Sequence, residues 1–172
     1  KARFQNVFGP REILGAGQWR GTPHTVWRNV TPTFVWKALH GEALPLDNEG
    51  RSSRDFIYVE DLAHGLIRCA LAGEPGDVYN LASGRETTIA QLAATINEAT
   101  GNSTPPDLRP ARDWDRSGNR FGCPEKSRAK IGFEAQVELA EGIQQQVEWT
   151  RANQDRIAGC MARHDEHMKQ FA

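Results

Sequence analysis

The apolar positions of this chain fall into short blocks that alternate between strand-like runs and helix-like spacings. Residues 3–8 read as a strand that Gly9-Pro10 stops. Residues 11–29 carry Gly15, Gly17, Gly21 and Pro23 and predict an irregular stretch, with Trp19 and Trp27 inside it. Pro32 suits the first turn of a helix, with Thr31 as its cap. Phe34, Val35, Ala38 and Leu39 line that helix and Gly41 ends it. A strand at 43–46, a turn at 47–50 and a strand at 54–59 follow. A helix over 61–71 places Leu62, Leu66, Ile67 and Ala70 on its apolar side, and 78–81 is another strand. Thr87-Thr88 caps a helix whose Ile89, Leu92, Ala93, Ile96 and Ala99 recur at spacings of three and four before Gly101. Three prolines make 102–120 mostly loop with one extended piece. A short helix near 124–130 stops at Gly132, and a last helix starts near Glu138 and continues almost to the end. Strands alternating with helices make this an α/β chain.

Bulk composition narrows the function classes. At 172 residues there is enough chain for one domain with a real core. Lys plus Arg number 21 and Asp plus Glu 22, a net charge of -1, so no basic field points to nucleic acid or to a membrane surface. No apolar run approaches the length of a membrane span. Cys69, Cys123 and Cys160 are odd in number and widely spaced, which predicts reduced thiols in a cytoplasmic protein, with Cys69 in the core. The abrupt, strand-like opening suits a fragment better than a natural start.

Several polar groups are placed for binding. Asn6 ends a strand, where ligands of open α/β sheets sit, and its amide suits a phosphate or a sugar hydroxyl; taken alone it reads rather as a turn-forming asparagine before glycine. Arg54 opens an apolar strand, and its planar fork fits a phosphate; the other reading is an ion pair with Asp55 or Glu60. Asp55, a carboxylate inside an apolar strand, is structural. Arg109, Arg112, Asp113, Asp115, Arg116 and Arg120 surround Trp114 in a charged loop able to grip an anion. Gly15-x-Gly17-x-x-x-Gly21 has one residue too many for a dinucleotide fingerprint and lacks the strand–turn–helix context. His164 and His167 read as a surface pair without a third ligand, so no metal site is expected.

Three runs together carry a resemblance: Asn6-Val7-Phe8-Gly9-Pro10, then 54–61, then Val78-Tyr79-Asn80-Leu81-Ala82-Ser83-Gly84. Over 1–152 the chain resembles the C-terminal half of an extended short-chain dehydrogenase/reductase, the NAD-dependent nucleotide-sugar epimerase/dehydratase family that includes UDP-galactose 4-epimerase. The implied fold is the Rossmann-like α/β fold of that family, mainly its smaller substrate-binding domain, with 153–172 as a helical extension. The resemblance implies diphosphate contacts from Asn6, from Asn29 and Val30 at a helix start, and from Arg54. It implies that Leu44-Pro45-Leu46 lies along the nucleotide base, with Leu46 in the site. Arg112 and Asp115 match a pair that contacts phosphate and ribose, in a loop one residue out of step with the epimerase pattern. Phe56 matches a position often aromatic, and 121–133, Glu141-Gly142-Ile143 and Trp149 match the closing helices.

The implied chemistry is hydride transfer with NAD, assisted by a Tyr-x-x-x-Lys pair. That pair and the glycine loop belong upstream of residue 1, so no catalytic residue is expected in this chain, and NAD is expected to bind only the complete enzyme. The implied partner is a nucleotide-diphosphate sugar, with UDP-glucose/UDP-galactose 4-epimerisation the best single expectation. The alternative is a nucleotide-sugar-binding or oligomerising module without catalysis. A stripe of Ile157, Met161, His164, Met168 and Phe171 is expected either to pack on the parent domain or to form a partner surface, and exposed apolar faces imply a homo-oligomer.

Overall fold

The computed structural model of the chain describes residues 1–113 and 118–171. Its strands are β1 (Ala2–Phe4), β2 (Asn6–Phe8), β3 (Pro45–Asp47), β4 (Ser53–Arg54), β5 (Phe56–Tyr58), β6 (Tyr79–Leu81), β7 (Thr87–Thr88) and β8 (Asp107–Arg109). Its α-helices are α1 (Val30–Leu39), α2 (Val59–Ala72), α3 (Ile89–Thr100), α4 (Glu125–Ile131), α5 (Leu139–Ala152), α6 (Gln154–Ala162) and α7 (Asp165–Met168). Three strand pairs are parallel, β1 with β6, β2 with β5 and β3 with β8, and β4 pairs antiparallel with β7. The expected α/β class holds.

Strand alternation explains how two apolar cores form back to back. Successive side chains of a strand point to opposite faces. Phe56 and Tyr58 of β5 therefore enter one core, with Phe8, Phe34, Leu44, Leu46, Leu92 and Ile143. Ile57, between them, enters the other, with Leu62, Tyr79, Leu81, Ile131 and Phe133. The first core lies among α1, α3 and α5, which pack on one another, and the second under α2 and α4. A strand covered on both faces reads as continuous apolar sequence, as Phe56-Ile57-Tyr58 does.

The structure revises several expected boundaries. The strand at 3–8 is two, broken at Gln5, because residues 2–4 follow β6 and residues 6–8 follow β5. The strand at 54–59 breaks at Asp55, which is fully buried. Its carboxylate accepts from Ser83 N (2.9 Å), Ser83 Oγ (2.7 Å), Gly84 N (2.9 Å) and Gly122 N (3.2 Å). The structural reading of Asp55 is thus correct. Asn29, not Thr31, occupies the cap position of α1. On α2 the packed face is Leu62 and Gly65, while Leu66 and Ile67 are exposed. Gly65 lets the helix approach closely: a Cβ there would lie 2.9 Å from both Leu81 Cδ2 and Phe133 Cε2. The cap of α3 is as expected, with Thr88 and Gln91 bonded reciprocally and Gly101 at φ 77°.

The expected single last helix is three. Asn153 stops α5 because its side chain donates to Trp149 O (2.8 Å), replacing the next helical bond. His164 separates α6 from α7 and is buried, so the expected surface pair with His167 is incorrect for His164. Its Nε2 lies 2.9 Å from Gly15 O. Among the described residues, no helix is long and apolar enough to cross a membrane, and no cluster of three metal-ligating side chains forms.

Candidate functional site

A cleft of about 1420 Å³ opens where β2, β3 and β4 end and α1 begins. It gathers Asn6, Asn29, Val30, Arg54 and Arg112 of the expected site into one wall-to-wall lining. They come from four separate places in the chain, β2, the start of α1, β4 and the loop after β8, so the convergence is a property of the fold. Asn6 opens β2, held in register by Asn6 N donating to Asp55 O (3.0 Å). Asn29 and Val30 start α1, whose first N–H groups lack partners within the helix and present positive partial charge. Pro32, within that first turn, removes one such donor at no cost. Anions are stabilised at such a helix start.

Arg54 is half-buried and held at Nη1 by two carbonyls, Ser53 O and Gly118 O, each 2.7 Å away. This anchoring replaces the alternative ion pair with Asp55, whose carboxylate is taken up by the 83–84 and 122 amides. Arg112 forms an ion pair with Asp47, tying the loop after β8 to the end of β3. Leu46 is placed differently from these. Its side chain is 4% exposed and belongs to the core, so it does not line the cleft. The alternation of β3 turns Pro45 and Asp47 to the cleft instead, and Leu46 offers a ligand only its backbone. Asp115 lies outside the described residues, as do Trp114 and Arg116.

Other lining residues were not singled out in advance. Glu12 binds the Asn29 amide, which donates Nδ2 to Oε1. Its Oε2 is buried without a hydrogen-bond partner. Burial pushes the Glu12 carboxyl up, against the lowering pull of Asn29 and of the Arg28 charge. Trp27 and Trp149 add aromatic faces, with Lys37 Nζ 5.0 Å over the Trp27 ring. The only forward signals for these residues were Trp27 in an irregular stretch and the match of Trp149 to a closing helix. Among the described residues, six that line the cleft are Lys or Arg and three are Asp or Glu, although the chain as a whole carries -1. A cleft with such an excess focuses positive potential on an anionic ligand.

The NAD dependent epimerase/dehydratase family model matches residues 2–82. The chain belongs to this family. It is 58% identical to Bordetella bronchiseptica WbmF, solved in complex with NAD+ and UDP, at a TM-score of 0.89 over 98% of this chain and 50% of that one. A UDP-glucose 4-epimerase from Thermotoga maritima, solved with UDP-glucose, matches at 29% identity and a TM-score of 0.77, over 89% of this chain and 46% of that one. A dTDP-glucose 4,6-dehydratase of Actinoplanes is 30% identical over 154 residues, 88% of this chain and 43% of that protein. The chain therefore spans about half the length of such relatives. The fold is that of Rossmann-like extended short-chain dehydrogenases/reductases.

A dinucleotide is held at a glycine-rich turn between a strand and a helix N-terminus. α2 follows β5, and α3 follows β7, without an intervening residue, so neither of these helix starts carries a glycine-rich turn. Gly15, from the near-fingerprint run, is packed tightly instead, since a Cβ would meet Cys160 O at 2.8 Å.

Proposed function

We propose that this chain is the substrate-binding part of an NAD-dependent nucleotide-sugar epimerase/dehydratase, with a UDP-hexose as ligand and UDP-glucose/UDP-galactose 4-epimerisation as the reaction of the complete enzyme. The observation that carries the reading is the convergence of Asn6, Asn29, Val30, Arg54 and Arg112 on one positively biased cleft. A diphosphate is the ligand group this lining suits: an arginine fork, carboxamide donors and a helix start all favour phosphate oxygens. The WbmF structure with UDP and the Thermotoga enzyme with UDP-glucose support a uridine nucleotide. In this reading the chain's share of catalysis is to hold the diphosphate and so position the sugar for reaction at the cofactor. Residues 1–152 form the binding part and 153–172 a helical extension of it. The three free cysteines fit a cytoplasmic enzyme, and the exposed apolar residues of α2 fit a homo-oligomer.

Calorimetric titration of the intact protein with UDP, UDP-glucose and NAD tests the proposal. The Arg54→Ala variant should bind UDP more weakly by about 1.5–3 kcal/mol, the range for a charge-assisted hydrogen bond. Unchanged affinity would remove Arg54 from the site, and no binding of either uridine nucleotide by the intact protein would overturn the reading.

A further inference from the structure

The lower wall of the cleft is an irregular segment with little regular structure of its own. Between Gly9 and Asn29 the only helical turn is a three-residue 3-10 helix at Pro23–Thr25. Yet this segment supplies Arg11, Glu12, Trp27 and Arg28 to the lining. Such chain needs support from elsewhere to hold one shape, because each ordered residue costs conformational entropy. The support is visible on the side of the segment that meets α6 and α7.

Gly15 has φ 68° and sits against the end of α6, where a Cβ would lie 2.8 Å from both Cys160 O and Met161 Cα. Its carbonyl takes two donors from the same helix end, His164 Nε2 at 2.9 Å and Arg163 Nη2 at 3.3 Å. Four residues on, the Trp19 ring stacks on His167 (4.8 Å, 12° between planes) and lies 5.9 Å from His164 and 6.2 Å from Phe171. Leu14 and Ile157 are buried nearby in sequence to these contacts, outside both main cores. Of the stripe of the last helices, His164 and Phe171 thus meet this segment at Gly15 and Trp19.

We propose that residues 153–171 act as a clamp that fixes the 11–29 wall of the cleft, with His164 and Trp19 as its positioning residues. None of the clamp residues lines the cleft, so they act on ligand binding through Glu12 and its partner Asn29, three residues and more away. The proposal rests on the reading of the cleft as a nucleotide-sugar site. It turns the helical addition from an ornament into a determinant of affinity.

The test uses the intact protein, with UDP as probe, far below the thermal midpoint. His164→Leu removes the donor to Gly15 O, and His164→Gln keeps an N–H near the Nε2 position. Two readouts are needed: amide hydrogen exchange over 11–20, which does not depend on any ligand, and the UDP dissociation constant. His164→Leu should speed exchange over 11–20 and weaken UDP about tenfold, and His164→Gln should restore both. Trp19→Ala should act in the same direction if His164→Leu fails to fold. Unchanged exchange, or faster exchange with unchanged UDP affinity, overturns the clamp. If the wild-type protein exchanges slowly over 11–20 but binds no UDP, the cleft reading has failed, and the clamp's role in binding falls with it.

Discussion

Glu12 is the residue on which the electrostatics of the cleft turn. It places a carboxylate among arginines, spends one oxygen on the Asn29 amide and leaves the other buried without a partner. An unpaired buried oxygen is costly, and the cost falls on the charged form. Desolvation accordingly raises its pKa above the ordinary 4.5, with Asn29 and Arg28 pulling the other way. The folded state then holds the proton more tightly than the unfolded chain. The stability this gives is fully present below the unfolded value of 4.5 and is lost as pH rises through the folded value. Glu12→Gln keeps an acceptor for Asn29 and removes the charge. Its thermal midpoint should exceed that of wild type at about pH 7 and converge on it at about pH 4, read by calorimetry at both. The same change should tighten UDP about two- to threefold at neutral pH, because one negative charge leaves the phosphate wall. A midpoint gain that is the same at both pH values would show that the carboxylate is not strained. Arg54 shows the complementary case: an arginine pinned by two carbonyls is aimed before any ligand arrives.

At the scale of elements, the joint between β4 and β5 sets the site. Asp55 gathers amides from the β6–β7 connection and from Gly122, and so fixes the strand on either side, including Arg54. Asp55→Asn would turn an amide NH2 toward N–H donors that have no other acceptor. The expected loss is about 2–3 kcal/mol of folding stability, measured by denaturant unfolding, and an unchanged midpoint would show that the joint is held by packing alone. The role of Asp55 was legible in advance because a charge in an apolar run has few uses. The capping box at Thr88 and the stops at Gly101 and Gly132 were legible for a similar reason, since each is a local chemical rule. What stayed hidden depends on distant partners. The break of the 3–8 strand at Gln5 follows from two different neighbours, β6 and β5. The burial of Leu46 follows from the register of β3, and one residue's shift exchanges core for cleft. Gly15 and His164 lie 149 positions apart and read as a loop glycine and a surface histidine until they meet. Of the site, Asn6, Asn29, Val30, Arg54 and Arg112 could be named by resemblance, whereas Glu12 could not, because its role exists only beside Asn29.

At the scale of the molecule, α2 borders the binding cleft at its start and carries uncovered apolar residues farther along. Leu66, Ile67 and Leu71 of α2 are 44%, 56% and 82% exposed. Isolated exposed leucines are ordinary, but three on one helix form a patch, and patches of this kind mark contact surfaces. The helix is anchored through Leu62 and Gly65, which meet the second core, so the exposed residues are not a sign of misplacement. Relatives are about twice as long as this chain, and in proteins of that length further polypeptide is present to cover such a face. In the 172-residue chain by itself, the cover available is a second copy. The chain alone should therefore self-associate, and replacing Leu66, Ile67 and Leu71 together by serine should shift it to monomer in sedimentation velocity. Each exposed substitution should change folding stability by no more than about 0.5 kcal/mol, so a monomer that unfolds at the wild-type midpoint is the expected result. A wild-type chain that sediments as a monomer would mean that the patch is too small to drive association, and the homo-oligomer reading would lose its structural support. The same variant tests how the two surfaces relate: Val59, Glu60 and Ala63 at the start of α2 line the cleft and the patch lies farther along the same helix, so UDP affinity equal in the associated and monomeric forms would show that the patch serves association alone. Loss of affinity on dissociation would instead place part of the binding site in the neighbouring copy.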